Sequence, residues 1–182
     1  MARRETAPGI FYSDNPCVTF GEQDVDWLVA AARQNDKQRA RLCAHPDTAD
    51  PVHEMLICLL GGCYIRPHAH RTAESAHAIR GVCDVLLFDQ SGRVENVLRL
   101  DADSIDSPDS KQFLRLPPRT FHAQLIRSPY FVFHETTCGP FDPADTIFPD
   151  WWPDDHSPRR EACVEELEAA AQRFRRQKAD RR

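Results

Sequence analysis

The stretch that decides the fold reads Gly62-Cys63-Tyr64-Ile65-Arg66-Pro67-His68-Ala69-His70-Arg71-Thr72-Ala73-Glu74-Ser75-Ala76-His77-Ala78-Ile79-Arg80-Gly81. Side chains two apart on a strand project to one face, so His68 and His70 point inward together. Glu74 follows a short turn and can return a carboxylate to the same centre. Gly62 and Gly81 suit the tight turns where the chain enters and leaves. Two imidazoles and a carboxylate gathered at one point are a donor set for a divalent metal.

Outward from this run, residues 53 to 137 carry short β-type segments separated by turn residues. The predicted strands are Met55–Leu60, Cys63–Arg66, Ala76–Ile79, Val82–Phe88, Val94–Leu100, Phe113–Leu116, Phe121–Ile126 and Tyr130–Thr137. Asp89–Gly92 and Arg127–Pro129 read as hairpin turns. Asp101–Ser110 reads as a polar loop. Such a series predicts an antiparallel sandwich or barrel.

The two ends read differently. Residues 1 to 18 look loose. Thr19-Phe20-Gly21-Glu22 fits a capping box, and Val25, Leu28, Ala31 and Ala32 follow at helical spacing, so a helix is predicted over 22–41. Gly139 to Pro153 is rich in proline and aromatics and predicts an extended arm over an apolar surface, with Trp151 and Trp152 as a packing plug. Ser157-Pro158 opens a C-terminal helix, with an apolar stripe of Val164, Leu167, Ala171 and Phe174. The division expected is 1–50 for an N-terminal segment and helix packed on the barrel, 51–153 for the main β domain, and 154–182 for the C-terminal helix and basic tail. That tail reads as a solvated helix end.

Composition narrows the class. The 182 residues carry a formal net charge of -5, which favours neither nucleic acid nor a membrane as partner. No apolar run is long enough to span a bilayer, so a cytoplasmic location is expected. The seven cysteines form no CxxC pair, and several sit in apolar runs, as buried free thiols do.

The run from Gly62 to Gly81 also matches G-x5-H-x-H-x3-E-x6-G, and so resembles the first signature of the cupin metal site. The second signature, G-x5-P-x-G-x2-H-x3-N, is met in part by Leu116-Pro117-Pro118-Arg119-Thr120-Phe121-His122. That match makes His122 the fourth expected ligand. Arg119 stands where the signature has glycine, Ile126 where it has asparagine, and the leading glycine is absent. More narrowly, the chain resembles the WbuC-type cupin-fold metalloproteins of bacteria from about Arg41 to Pro153. The resemblance rests on His45-Pro46, Asp50-Pro51-Val52, Tyr64-Ile65-Arg66-Pro67-His68-Ala69-His70, Glu74-Ser75, Leu87-Phe88-Asp89 with Gly92, and Gly139-Pro140-Phe141-Asp142-Pro143. It implies a mainly β cupin jelly-roll, barrel or sandwich, holding one divalent metal. It also implies a link to surface-polysaccharide (O-antigen) gene clusters.

Three His and one Glu leave about two positions open in an octahedral shell, which suits substrate or dioxygen. Fe, Mn, Zn, Ni and Co all accept such ligands. Tyr64 and Arg66 share strand parity with His68, so Tyr64 is a candidate catalytic residue and Arg66 a candidate anion-binding one. Glu135 shares parity with Phe131 and Phe133, and is a candidate general base. Gln124 shares parity with His122 and is a further substrate-binding candidate. The remaining histidines, 45, 53, 77, 134 and 156, lack ligand spacing and read as structural or exposed, with His77 and His134 the strongest exceptions. The expected function is a metal-dependent isomerase or epimerase acting on a small anionic or sugar-like substrate. The alternatives are an Fe(II)-dependent dioxygenase and a non-catalytic ligand-binding cupin. A homodimer is the assembly considered.

Overall fold

The computed structural model describes residues 2–103, 110–153 and 160–180. In chain order its strands are β1 (Arg3–Ala7), β2 (Ile10–Ser13), β3 (Arg39–Cys43), β4 (Val52–Leu60), β5 (Ala69–His70), β6 (Glu74–Arg80), β7 (Val82–Phe88), β8 (Val94–Asp101), β9 (Ser110–Lys111), β10 (Phe113–Leu116), β11 (Phe121–Ile126), β12 (Tyr130–Cys138) and β13 (Thr146–Ile147). Helix α1 (Glu22–Arg33) precedes β3, and α2 (Arg160–Ala179) ends the chain. The fold is mainly β, a two-sheet sandwich with a helix towards each end.

One sheet has the order β1-β2-β3-β4-β12-β6-β10 and the other β11-β7-β8-β9, with β13-β5 as a separate short pair. The sheets do not close into a barrel. Alternation along β12 shows how they share the core. Phe131 and Phe133 point between the sheets, where they meet Leu59, Ala78, Cys83, Val85 and Leu100. Val132 points the other way, into a cluster with Leu28, Ala32, Leu42 and Leu56 beneath α1. On the far side, Leu167 and Ala171 of α2 cover Leu86, Phe88, Ala123 and Leu125. Trp151 packs against Phe88 and Phe121, so the 139–153 arm does lie over an apolar surface.

Several expectations are corrected. Residues 3–13 are a hairpin rather than loose chain, turned at Gly9 with φ +76°. The α1 cap is Gly21, whose N–H donates to Asp24 Oδ2 at 2.9 Å; the predicted Thr19–Glu22 box is not the cap. The helix ends at Arg33 because the polar run Gln34-Asn35-Asp36-Lys37-Gln38 follows. Ala40 and Leu42 then alternate into the core as β3. Cys63–Arg66 is not a strand, since Pro67 has no N–H to offer a ladder. Arg127–Pro129 is no hairpin, because it carries the chain from β11 in one sheet to β12 in the other.

The other predicted strands are present, with Val82–Phe88, Phe113–Leu116 and Phe121–Ile126 at the expected bounds. Asp89–Gly92 does join antiparallel β7 and β8. The expected 101–110 loop and the Ser157-Pro158 helix start fall largely or wholly outside the described residues, as does His156. All seven cysteines are free, and only Cys17 and Cys138 are exposed. Among the described residues, no helix is long and apolar enough to cross a membrane.

Candidate metal centre

β5 and β11 bring the histidines together. The β5 approach is short: His68 makes an isolated bridge to His122, with N–H···O contacts of 3.0 and 2.8 Å in the two directions. Along β11, Phe121, Ala123 and Leu125 face α2 and the arm, so His122 and Gln124 face the sandwich interior. The His68 and His122 ring centroids lie 4.4 Å apart, and those of His68 and His70 lie 4.9 Å apart. Glu74 opens β6 between them. Its Oε1 is 3.3 Å from His122 Nε2, and its Oε2 is 3.6 Å from His70 Nε2.

The backbone sets the tautomers. His68 Nδ1 lies 2.8 Å from the Arg66 carbonyl, and His122 Nδ1 lies 3.1 Å from the Thr120 carbonyl. A carbonyl only accepts, so each Nδ1 carries the proton and donates, which leaves each Nε2 with a lone pair. Burial keeps both rings neutral: His122 is held down to about 4, and His68 well below the usual histidine range, where His122 and His70 add to the effect. Burial, then the nearby Glu135 carboxylate, pushes Glu74 well above the ordinary carboxylate range. Burial also raises Glu135, against the pull of Arg41.

The donor chemistry fits a divalent ion. Two donors each about 2.1 Å from one ion, at right angles, lie about 3.0 Å apart. The two Glu74 contacts are a few tenths of an ångström wider than that. As the side chains stand, no group of three or more His, Cys, Asp or Glu among the described residues is placed to hold a metal ion.

Two chambers meet at this point. A smaller one of about 50 Å³ is lined by His68, His122, Gln124 and Phe133, and a larger one of about 100 Å³ by His70, Arg41, Tyr12, His45 and His53. Glu74 and Glu135 line both. The inward direction read for Glu135 and Gln124 is therefore what the structure shows.

Tyr64 and Arg66 are placed elsewhere. Cys63 and Ile65 point into the core between the sheets, so Tyr64 and Arg66 point out under the arm. Strand parity does not carry across Pro67. The Tyr64 hydroxyl accepts from Trp152 Nε1 at 2.7 Å. The Arg66 guanidinium lies over the Phe148 ring at 4.4 Å and reaches the Trp152 carbonyl at 3.4 Å. Neither lines a chamber wall.

The sequence reading missed Arg41, which it placed in a helix. It read His45 and His53 as structural or exposed; both are buried, and both line the larger chamber. The parity shared by Arg41 and Cys43 would have found the arginine, had β3 been recognised. His77 and His134 line neither chamber; His77 meets Phe113, and His134 lies 3.9 Å from Glu54.

Comparison with known proteins agrees at the level of fold. The family model "Domain of unknown function (DUF6016)" matches residues 20–100. No curated protein matches the sequence. Among solved structures, protein SO0799 from Shewanella oneidensis is similar with a TM-score of 0.50 and 12% identity, covering 71% of this chain and 77% of that one. Oxalate decarboxylase from Bacillus subtilis aligns at TM-score 0.45 and 20% identity, over 66% of this chain and 29% of its own. A conserved protein of unknown function from Streptococcus pyogenes aligns at TM-score 0.43 and 12% identity, over 59% of this chain and 80% of that one.

Proposed function

We propose that this chain is a cupin metalloenzyme of the isomerase or epimerase type, acting on a small polar or sugar-derived molecule. His68, His70, Glu74 and His122 would hold one divalent ion. Its contribution when bound is to polarise a ligand oxygen. The observation that carries the reading is Glu135, a half-buried carboxyl on the wall shared by both chambers. Its raised affinity for a proton suits a group that takes and returns one near neutral pH. Gln124 would orient a ligand hydroxyl. Leu114, Leu116 and Phe133 would exclude water beside it.

The resemblance to WbuC-type cupins supports a bacterial surface-polysaccharide setting for the substrate. A dioxygenase would use the same donors without needing Glu135. The two part experimentally when metal-loaded protein is given a panel of small hydroxy-carbonyl compounds in deuterated water. Deuterium entry at the carbon beside the carbonyl, lost in Glu135→Gln and without oxygen uptake, is the expected outcome. Oxygen consumption with no exchange would replace this reading by the dioxygenase.

A further inference from the structure

Two polar groups in the larger chamber wall have no partner. Arg41 lines the chamber, and its Nε is buried with no hydrogen-bond acceptor. His53 is 4% exposed, and its Nε2 is likewise buried and unpartnered. The His53 ring is fixed by stacking on His45 at 4.1 Å, with planes 2° apart. Gly139 closes over it, since a Cβ there would fall 2.6 Å from His53 Nε2 and 1.9 Å from the Asp50 carbonyl. Buried polar atoms nearly always find partners, and arginine nitrogens can only donate, so the unmatched Arg41 group calls for an acceptor. A guanidinium keeps its charge at any pH a protein survives, so that acceptor is best an anion.

The acidic groups on the same sheet as Arg41 limit which anion. Glu74 and Glu135 line the same chamber. A dense polyanion would be repelled there. A neutral polyol would leave Arg41 unmatched, and a cation would be repelled by it. A molecule with a carboxylate at one end and a hydroxyl at the other satisfies both kinds of group.

We infer that the larger chamber is a subsite for a small hydroxycarboxylate, whose carboxylate meets the Arg41 guanidinium and whose hydroxyl donates to Glu135. A guanidinium offers paired N–H donors as a fork that matches two carboxylate oxygens. At about 100 Å³ the chamber suits a compound of a few carbons. This subsite rests on the reading of the interior as a ligand chamber, and not on the metal.

Calorimetry on the full-length protein tests it, with glycerate, glycerol and propionate as probes and metal content measured in every sample. Glycerate should bind, with glycerol (no carboxylate) and propionate (no hydroxyl) weaker by about tenfold or more. Arg41→Gln should weaken glycerate by about tenfold or more while retaining wild-type metal content. Arg41→Lys, which keeps the charge but not the fork, should also weaken it, and serves if the glutamine variant does not fold. Absence of glycerate binding, equal binding of glycerol, or wild-type affinity in the folded Arg41 variants would overturn the subsite. Arg41-dependent glycerate binding that survives metal loss in His122→Ala would uphold the subsite, and metal content unchanged in that variant would sink the metal reading alone.

Discussion

At the scale of single residues, Arg119 is the most instructive. It sits in the left-handed region with φ +63°, at the position where the cupin signature carries glycine. The turn adopts a conformation that favours glycine although its residue is arginine. Its N–H still donates to the His70 carbonyl at 2.7 Å, which ties the turn to the candidate donors. A side chain in this region costs on the order of 1 kcal/mol. Arg119→Gly should therefore raise unfolding free energy by up to about 0.5 kcal/mol in a urea titration, after the greater freedom of glycine in the unfolded chain is set against the relieved strain. A loss of stability would show that the arginine side chain contributes more than its backbone costs.

The donor residues were legible in the sequence because their spacing survives any local detail of the turn. Arg66 was misplaced for a physical reason: parity arguments hold only along a paired strand, and Pro67 interrupts the pairing.

At the scale of elements, the docking of α2 turns on Asp84. This carboxylate is fully buried on β7 and is met by Arg99 at 3.0 Å, by Arg175 of α2 at 2.7 Å, and by Arg127. Arg127 also pairs with Glu168 of α2. The basic end of the helix is thus pinned at Arg175 rather than wholly solvated.

Burial opposes the Asp84 charge, but hydrogen bonds from Arg99, Arg175 and Arg127 outweigh it and hold the carboxyl below its ordinary value. A group with a depressed folded pKa stabilises fully above its unfolded value of about 3.9, and loses that contribution as pH falls through the folded one. Acid titration of Asp84→Asn should then show a shallower loss of stability below about pH 4 than wild type. At neutral pH the same variant should cost about 2 kcal/mol, less than a fully buried network because Arg99 and Arg175 are partly exposed. Equal acid sensitivity in both proteins would remove Asp84 from the acid transition. The apolar side of the helix is a separate contribution. Leu167, 1% exposed, should cost about 2–4 kcal/mol when cut to alanine, read from the urea midpoint.

Most central strands could be read from the sequence because alternation and turn residues agree there. β1, β2 and β3 could not. Each is short, β2 pairs with β3 in parallel across α1, and such non-local pairing leaves no local signal.

At the scale of the whole molecule, the sandwich serves as a frame that aims side chains from different sheets at one interior point. β6 and β12 of the larger sheet supply Glu74 and Glu135, while β11 of the smaller supplies His122 and Gln124. The β5 pair with β13 of the arm adds His70. These residues are far apart in sequence, and only the face-to-face packing of Phe131 and Phe133 against Val85 and Leu100 makes them neighbours.

The direct test is the metal itself. Protein prepared without a histidine tag under anaerobic conditions, and analysed by plasma mass spectrometry, should carry about one divalent ion per chain. His70→Ala and His122→Ala, confirmed as folded, should lose most of it. A folded wild-type chain without metal that takes none up from added Fe, Mn, Zn, Ni or Co, or variants that keep full occupancy, would contradict the metal centre.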